Sequence, residues 1–93
     1  MRNLTIEDFS SQLGQGYDVL VGGGSLILRL DEAQPLPGSP RPGGGFRLLF
    51  RGPFEPLLSQ GLFVFRHRGN ADQIFIVPVG RDQRGSQYEA IFY

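Results

Sequence analysis

From Tyr17 onward, apolar residues return at every second position. In YDVLV, Tyr17, Val19 and Val21 fall on one side of an extended strand, with Asp18 and Leu20 on the other. Three glycines, Gly22 to Gly24, then interrupt the pattern. SLILRLDEA restores it, setting Leu26, Leu28 and Leu30 against Ile27, Arg29 and Asp31. Two alternating runs joined by glycines predict a β-hairpin. FRLLFR continues the alternation, with Phe46, Leu48 and Phe50 inward and Arg47 and Arg51 outward. LFVFRH, QIFIVPV and QYEAIFY supply three further strands, separated by the turn segments RGNAD and GRDQRGS.

Before Tyr17 the period is helical. Ile6, Phe9 and Leu13 share one face of a helix predicted over about 5–13, with Thr5 as its cap and Gly14 as its stop. Glu7 and Asp8 sit in its first turn, where the helix dipole favours negative charge. A helix this short is marginal in water, so its apolar stripe must dock on the sheet. The other irregular stretch is QPLPGSPRPGGG, about 34–45, whose prolines and glycines predict a mobile loop and exclude a central strand. A PxxP spacing occurs there at Pro37 and Pro40, but the arginine that follows is out of position for a polyproline ligand.

Six short strands at even spacing predict an all-β fold. The expected architecture is a small antiparallel β-barrel or rolled sheet of about six strands in a meander, with one short N-terminal helix. A chain of 93 residues forms one such domain over 1–93, and no internal repeat is visible in the letters. LFVF and QIFIV are apolar on both faces. One face fills the barrel; the other, assigned to Leu62, Val64, Ile74 and Ile76, needs a cover. The N-terminal helix is the first candidate for that cover, and a second subunit or another protein the next. With Arg47, Arg51 and Arg66, these residues make up the candidate interaction surface. Arg68 extends the arginine strip if the strands of Arg47 and Arg66 pair.

Charge narrows the partners. Nine basic residues, all arginine, balance nine acids, so the basic excess expected of a nucleic-acid binder is missing. No apolar run reaches the length of a membrane span, the first residues lack a signal-peptide core, and a cytoplasmic location is the default expectation. The expected partner is therefore a protein or a second copy, with no nucleic acid and no membrane. There is no cysteine, which excludes disulfides and thiolate metal sites.

Candidate chemistry is sparse. His67 is the single histidine, at the rim of the inward face, and one histidine without cysteine makes no structural zinc site. No serine occupies a G-x-S-x-G turn, and the acids Glu7–Asp8 and Asp31–Glu32 suit a helix start and a strand end. VGGGSL and RPGGGF lack the Lys-Ser or Lys-Thr and the helix of a phosphate loop. No catalytic, cofactor-binding or metal-binding residue is expected.

Three segments are distinctive together: LTIEDFSSQLGQGYDV, FRLLFRGPFEPLLSQGLFVFRH and IFIVPVGRDQRGSQYEAIF. With their FRGP, LSQG, PVGRD and YEAIF cores, they resemble a family of small bacterial domains of unknown function across nearly the whole chain. Members resemble proteins encoded beside phage-tail-collar-like proteins. The resemblance implies an accessory of a tail-like or other multi-protein assembly and carries over no site residue. The expected function is thus a non-enzymatic protein-interaction or assembly module. The alternative is a barrel binding a small apolar ligand among Phe46, Phe50, Phe63, Phe65 and Phe75.

Overall fold

A computed structural model describes residues 3–93; Met1 and Arg2, at the head of the segment read for a leader, lie outside the described residues. A single helical turn, α1 (Glu7–Ser10), precedes six strands. These are β1 (Gly16–Val21), β2 (Gly24–Leu36), β3 (Gly45–Gly52), β4 (Gly61–His67), β5 (Asn70–Asp82) and β6 (Gly85–Phe92). All pairings are antiparallel, and the sheet closes into a barrel in the order β1-β2-β3-β6-β5-β4.

That order corrects the expected meander. β1-β2-β3 and β4-β5-β6 are each meanders, but β3 pairs with β6 and β4 with β1. β3 and β4 therefore stand on opposite sides of the ring, and residues 53–60 cross the barrel's floor between them. Leu58 on that crossover is buried in the core, and its N–H donates to the Tyr88 hydroxyl at 2.9 Å. Exchanging the two meanders leaves the pairing scheme unchanged, a repeat the letters hide. The middle strands match at 13 residues and the third strands at 8. Each middle strand also carries a bulge, between Leu30 and Glu32 and between Pro78 and Gly80.

The inward set is continuous. Tyr17, Val19, Leu28, Leu30, Phe46, Leu48, Phe50, Phe65, Ile74, Ile76, Tyr88 and Ala90 are buried in one cluster. Phe50 lies 4.9 Å from Phe65 and 5.6 Å from Tyr17 between ring centroids, so aromatic rings fill the lumen. Ile74 and Ile76, expected on the outer face, are instead in this core, while Phe75, expected inside, is half exposed outside. Register is the reason. Cross-strand partners share a face, and β4 meets β5 with Phe63 opposite Ile74 and Leu62 opposite Phe75. Turning Phe63 and Phe65 inward thus carries Ile74 inward with them.

The helix is also placed differently. It spans one turn instead of 5–13, and Thr5 is not its cap: the Thr5 N–H donates to Asp8 Oδ2 at 2.8 Å. The Gly14 N–H donates to Leu30 O at 2.7 Å, and the Leu30 N–H to Gln15 O at 3.0 Å, which turns the chain into β1. Phe9 packs on Tyr17, Phe46 and Phe92 with centroids 5.9–6.3 Å apart. α1 therefore plugs the barrel's mouth, at the end opposite the crossover, and does not cover the sheet's outer face. Beside it, Gln34 to Leu36 belong to β2, Pro35 pairing with Phe46, so only 37–44 is loop. Arg41 ties that loop down, donating through Nη2 to Leu4 O at 2.7 Å and lying over the Phe46 and Phe92 rings.

Two stability measurements check this arrangement. In urea denaturation, Ile76→Ala costs about 2–5 kcal/mol, as for a deleted core side chain, whereas Phe75→Ala costs below about 1. Gly85→Ala costs about 3 kcal/mol: its φ is +125°, and an added Cβ would stand 2.1 Å from the Gly52 carbonyl oxygen. Gly22→Ala, at φ +54° in open space, costs about 1 kcal/mol.

Candidate functional site

The outer surface divides into two walls. On β3, Arg47 and Arg51 point outward with Leu49 between them. The bulge in β2 turns two consecutive acids to the same outer face, one for each arginine. Asp31 accepts from Arg51 Nε at 2.9 Å, and Glu32 lies 3.6 Å from Arg47 Nη1. From the other side Glu89 pairs with Arg47, and Asp82 with Arg51 at 3.1 Å. Asp31–Glu32 is therefore a mid-strand device, where a solvated strand end was expected. The arginine stems and their acids shelter Leu49, which is buried despite facing out. The arginines of this wall are thus paired within the chain, although Ile91, opposite Arg47, is half exposed.

The opposite wall is built from β1, β4 and β5. Leu62 and Phe75 face each other across the β4–β5 ladder and are 59% and 51% exposed. Val64 follows Leu62 on the same face, and the β1–β4 register brings Leu20 level with it. Arg66 comes next along β4, opposite Asp18. Of the predicted surface, Leu62, Val64 and Arg66 are thus together. Arg47 and Arg51 are across the barrel from them, and Ile74 and Ile76 are inside it. The expected strip of Arg47, Arg51, Arg66 and Arg68 does not form, because β3 and β4 are not neighbours. Leu20 and Phe75 were missed. The signal for Phe75 was its pairing partner, and for Leu20 an apolar residue on the polar side of YDVLV.

His67 sits at the mouth, stacked on Tyr17 at 4.5 Å and donating from Nε2 to Gln15 Oε1 at 2.8 Å. The Tyr17 hydroxyl donates to Gln12 Oε1. These contacts seat the ring in the packing of the barrel's end, on a side-chain amide. The cavity beneath, lined in part by Phe9, Tyr17, Phe65 and Ile74, is about 20 Å³, at most the room of one water. Among the described residues, no group of three or more His, Cys, Asp or Glu could hold a metal ion. No helix among them is long and apolar enough to cross a membrane.

Comparison with known proteins agrees with the distinctive segments. The family described as "Domain of unknown function (DUF6916)" matches residues 4–92. The chain belongs to it. Neither a curated protein nor a solved structure matches the chain. The DUF6916 match spans every strand of the barrel, so the family unit is the closed six-stranded ring together with its mouth plug.

The charged wall carries a pH signature. The Arg84 backbone N–H, with help from Arg51, holds the Asp82 carboxyl below its usual range, and hydrogen bonding to Asp31 holds the Arg51 guanidinium above its own. A carboxyl with a lowered folded-state pKa contributes stability that is complete above its unfolded value, about pH 4. That contribution is lost as pH falls through the lowered pKa. The expected outcome is a small one, given the exposure of Asp82. Between pH 4 and 2 the Tm of the parent chain falls further than that of Asp82→Asn, with the two profiles parallel from pH 5 to 8.

Proposed function

We propose that this domain is a non-enzymatic protein-interaction module that docks through the outer face of β1, β4 and β5. One observation carries the reading: Leu62 and Phe75, cross-strand partners, are more than half exposed beside Leu20 and Val64, and no element among the described residues covers them. Isolated exposed apolar residues are normal, but a contiguous strip on a sheet face marks an interaction surface. The neutralised wall around Arg47 and Arg51 supplies the contrast, since it already has its partners. Resemblance to proteins encoded beside phage-tail-collar-like ones supports an accessory role in a tail-like or other multi-protein assembly. The small-ligand alternative has less behind it, because the interior phenylalanines pack on one another and Phe75 lies outside.

Site-resolved photocrosslinking tests the proposal. With p-benzoylphenylalanine in place of Phe75 and the full chain expressed in its native host, irradiation yields adducts of defined mass. The same probe in place of Arg47 yields none. An adduct at twice the chain mass identifies a second copy as the partner. No adduct from position 75, or the same adducts from both positions, would overturn the docking face.

A further inference from the structure

β1 and β4 form the barrel's shortest seam, meeting only at Asp18–Arg66 and Val19–Phe65. Toward the mouth an open groove of about 340 Å³ lies beside that seam, lined by Gly16, Asp18, Arg66, Arg68 and Asn70 among others. Its arginines differ from four of those elsewhere, although Arg29 and Arg84 share the lack of an ion pair among the described residues. Arg41, Arg47, Arg51 and Arg81 each bind a carbonyl or a carboxylate of the chain. Arg66 and Arg68 make no ion pair among the described residues, although Asp18 is opposite Arg66.

Arg68 is placed at a cost. It is the first residue of the two-residue turn between His67 and Asn70, at φ +50°. Every other left-handed residue among those described is glycine. Turns of this hand are built with least strain from Asn-Gly, so an arginine here is held against backbone preference, as happens at binding sites. Two guanidiniums and the Asp18 carboxylate leave the groove a net charge of one positive unit. A single carboxylate balances that charge, and Asp18 repels a polyanion. The groove also runs on into the apolar strip, for Val64 is the next outward residue after Arg66 on β4.

We infer that the groove binds a carboxylate side chain of a protein partner, through Arg66 and Arg68. The partner presents an extended segment that alternates acidic and apolar residues, its apolar side chains resting on Leu20, Leu62, Val64 and Phe75. This inference rests on the docking face proposed above and names what it recognises.

The test is an amide NMR titration of the full ¹⁵N-labelled chain with a hexapeptide alternating aspartate and valine. Controls are its asparagine–valine counterpart, sodium acetate and inorganic phosphate. The aspartate peptide shifts the amides of Gly16, Arg66, Arg68 and Asn70 saturably, at least tenfold more tightly than any control. Arg66→Gln combined with Arg68→Asn abolishes that response, while Arg68→Asn alone raises Tm by relaxing the turn. Equal binding of the asparagine peptide, tighter binding of phosphate, an unaltered response in the double variant or no saturable shift would each overturn the carboxylate site. Shifts confined to Leu62 and Phe75 with either peptide sink the groove and leave the apolar face standing. Groove shifts without crosslinking from position 75 sink the face instead.

Discussion

A ring of six antiparallel strands encloses a lumen scarcely wider than two facing side chains, and this narrowness governs the rest of the molecule. An eight-stranded barrel is only just filled by its own residues, so a six-stranded one can hold little else. Phe50 and Phe65 meet inside the ring, and the floor and mouth are stopped by Leu58 and Phe9. Such packing leaves little free volume inside. That favours the outer surface and the rims as the docking region proposed above.

The outer surface is where the two halves part ways. Their pairing schemes are interchangeable, and the lengths of their second and third strands agree. Yet the two seams that join the halves are unlike. At β3–β6 the ladder runs from Phe46 to Gly52, and its outer face is sealed by Arg47 and Arg51 with acids from both sides. At β1–β4 the ladder is brief, its arginines make no ion pair among the described residues, and the adjoining residues are Leu20, Leu62, Val64 and Phe75. Exposed ion pairs add little stability each, so the sealed wall matters mainly by giving its charges intramolecular partners. A framework of equivalent halves thus carries one closed face and one open face.

How much of this could be read from the letters depended on polar punctuation. In YDVLV and SLILRLDEA, Asp18 and Arg29 mark the solvent side, and the inward residues follow. LFVF and QIFIV lack such markers, because both faces are apolar. Alternation then fixes spacing but not sense, and a slip of one residue exchanges the faces. The deciding fact, Phe63 opposite Ile74, is the register set by the two-residue turn at Arg68–Gly69, and the letters RGNAD do not mark which two residues form that turn. Asp72, just before QIFIV, misleads further: opposite the inward Phe65, it lies at the mouth. The crossover was hidden for a similar reason. Residues 53–60 are short enough for a turn, yet in extended form eight residues reach about 27 Å, enough to cross a small barrel's floor. The family likeness was legible because FRGP, LSQG and PVGRD lie where the chain leaves one strand or enters the next.

The same reasoning explains why the open face lies at β1–β4 and not elsewhere. Closing a sheet demands one last seam, and its strands are drawn together by the curvature of the whole ring as much as by their own pairing. Here the closure rests on Val19 and Phe65, inward residues locked into the core, and on Asp18 and Arg66 outside them. Glycine at position 16 lets Ile27 of β2 lie against the β1 backbone, since an added Cβ would stand 2.7 Å from Ile27 Cγ2. Burial of the aromatics and exposure of the seam are therefore two consequences of one geometry: the more tightly the rings fill so narrow a barrel, the more its final joint must be made by a few residues, and the more surface beside it remains for a partner to cover.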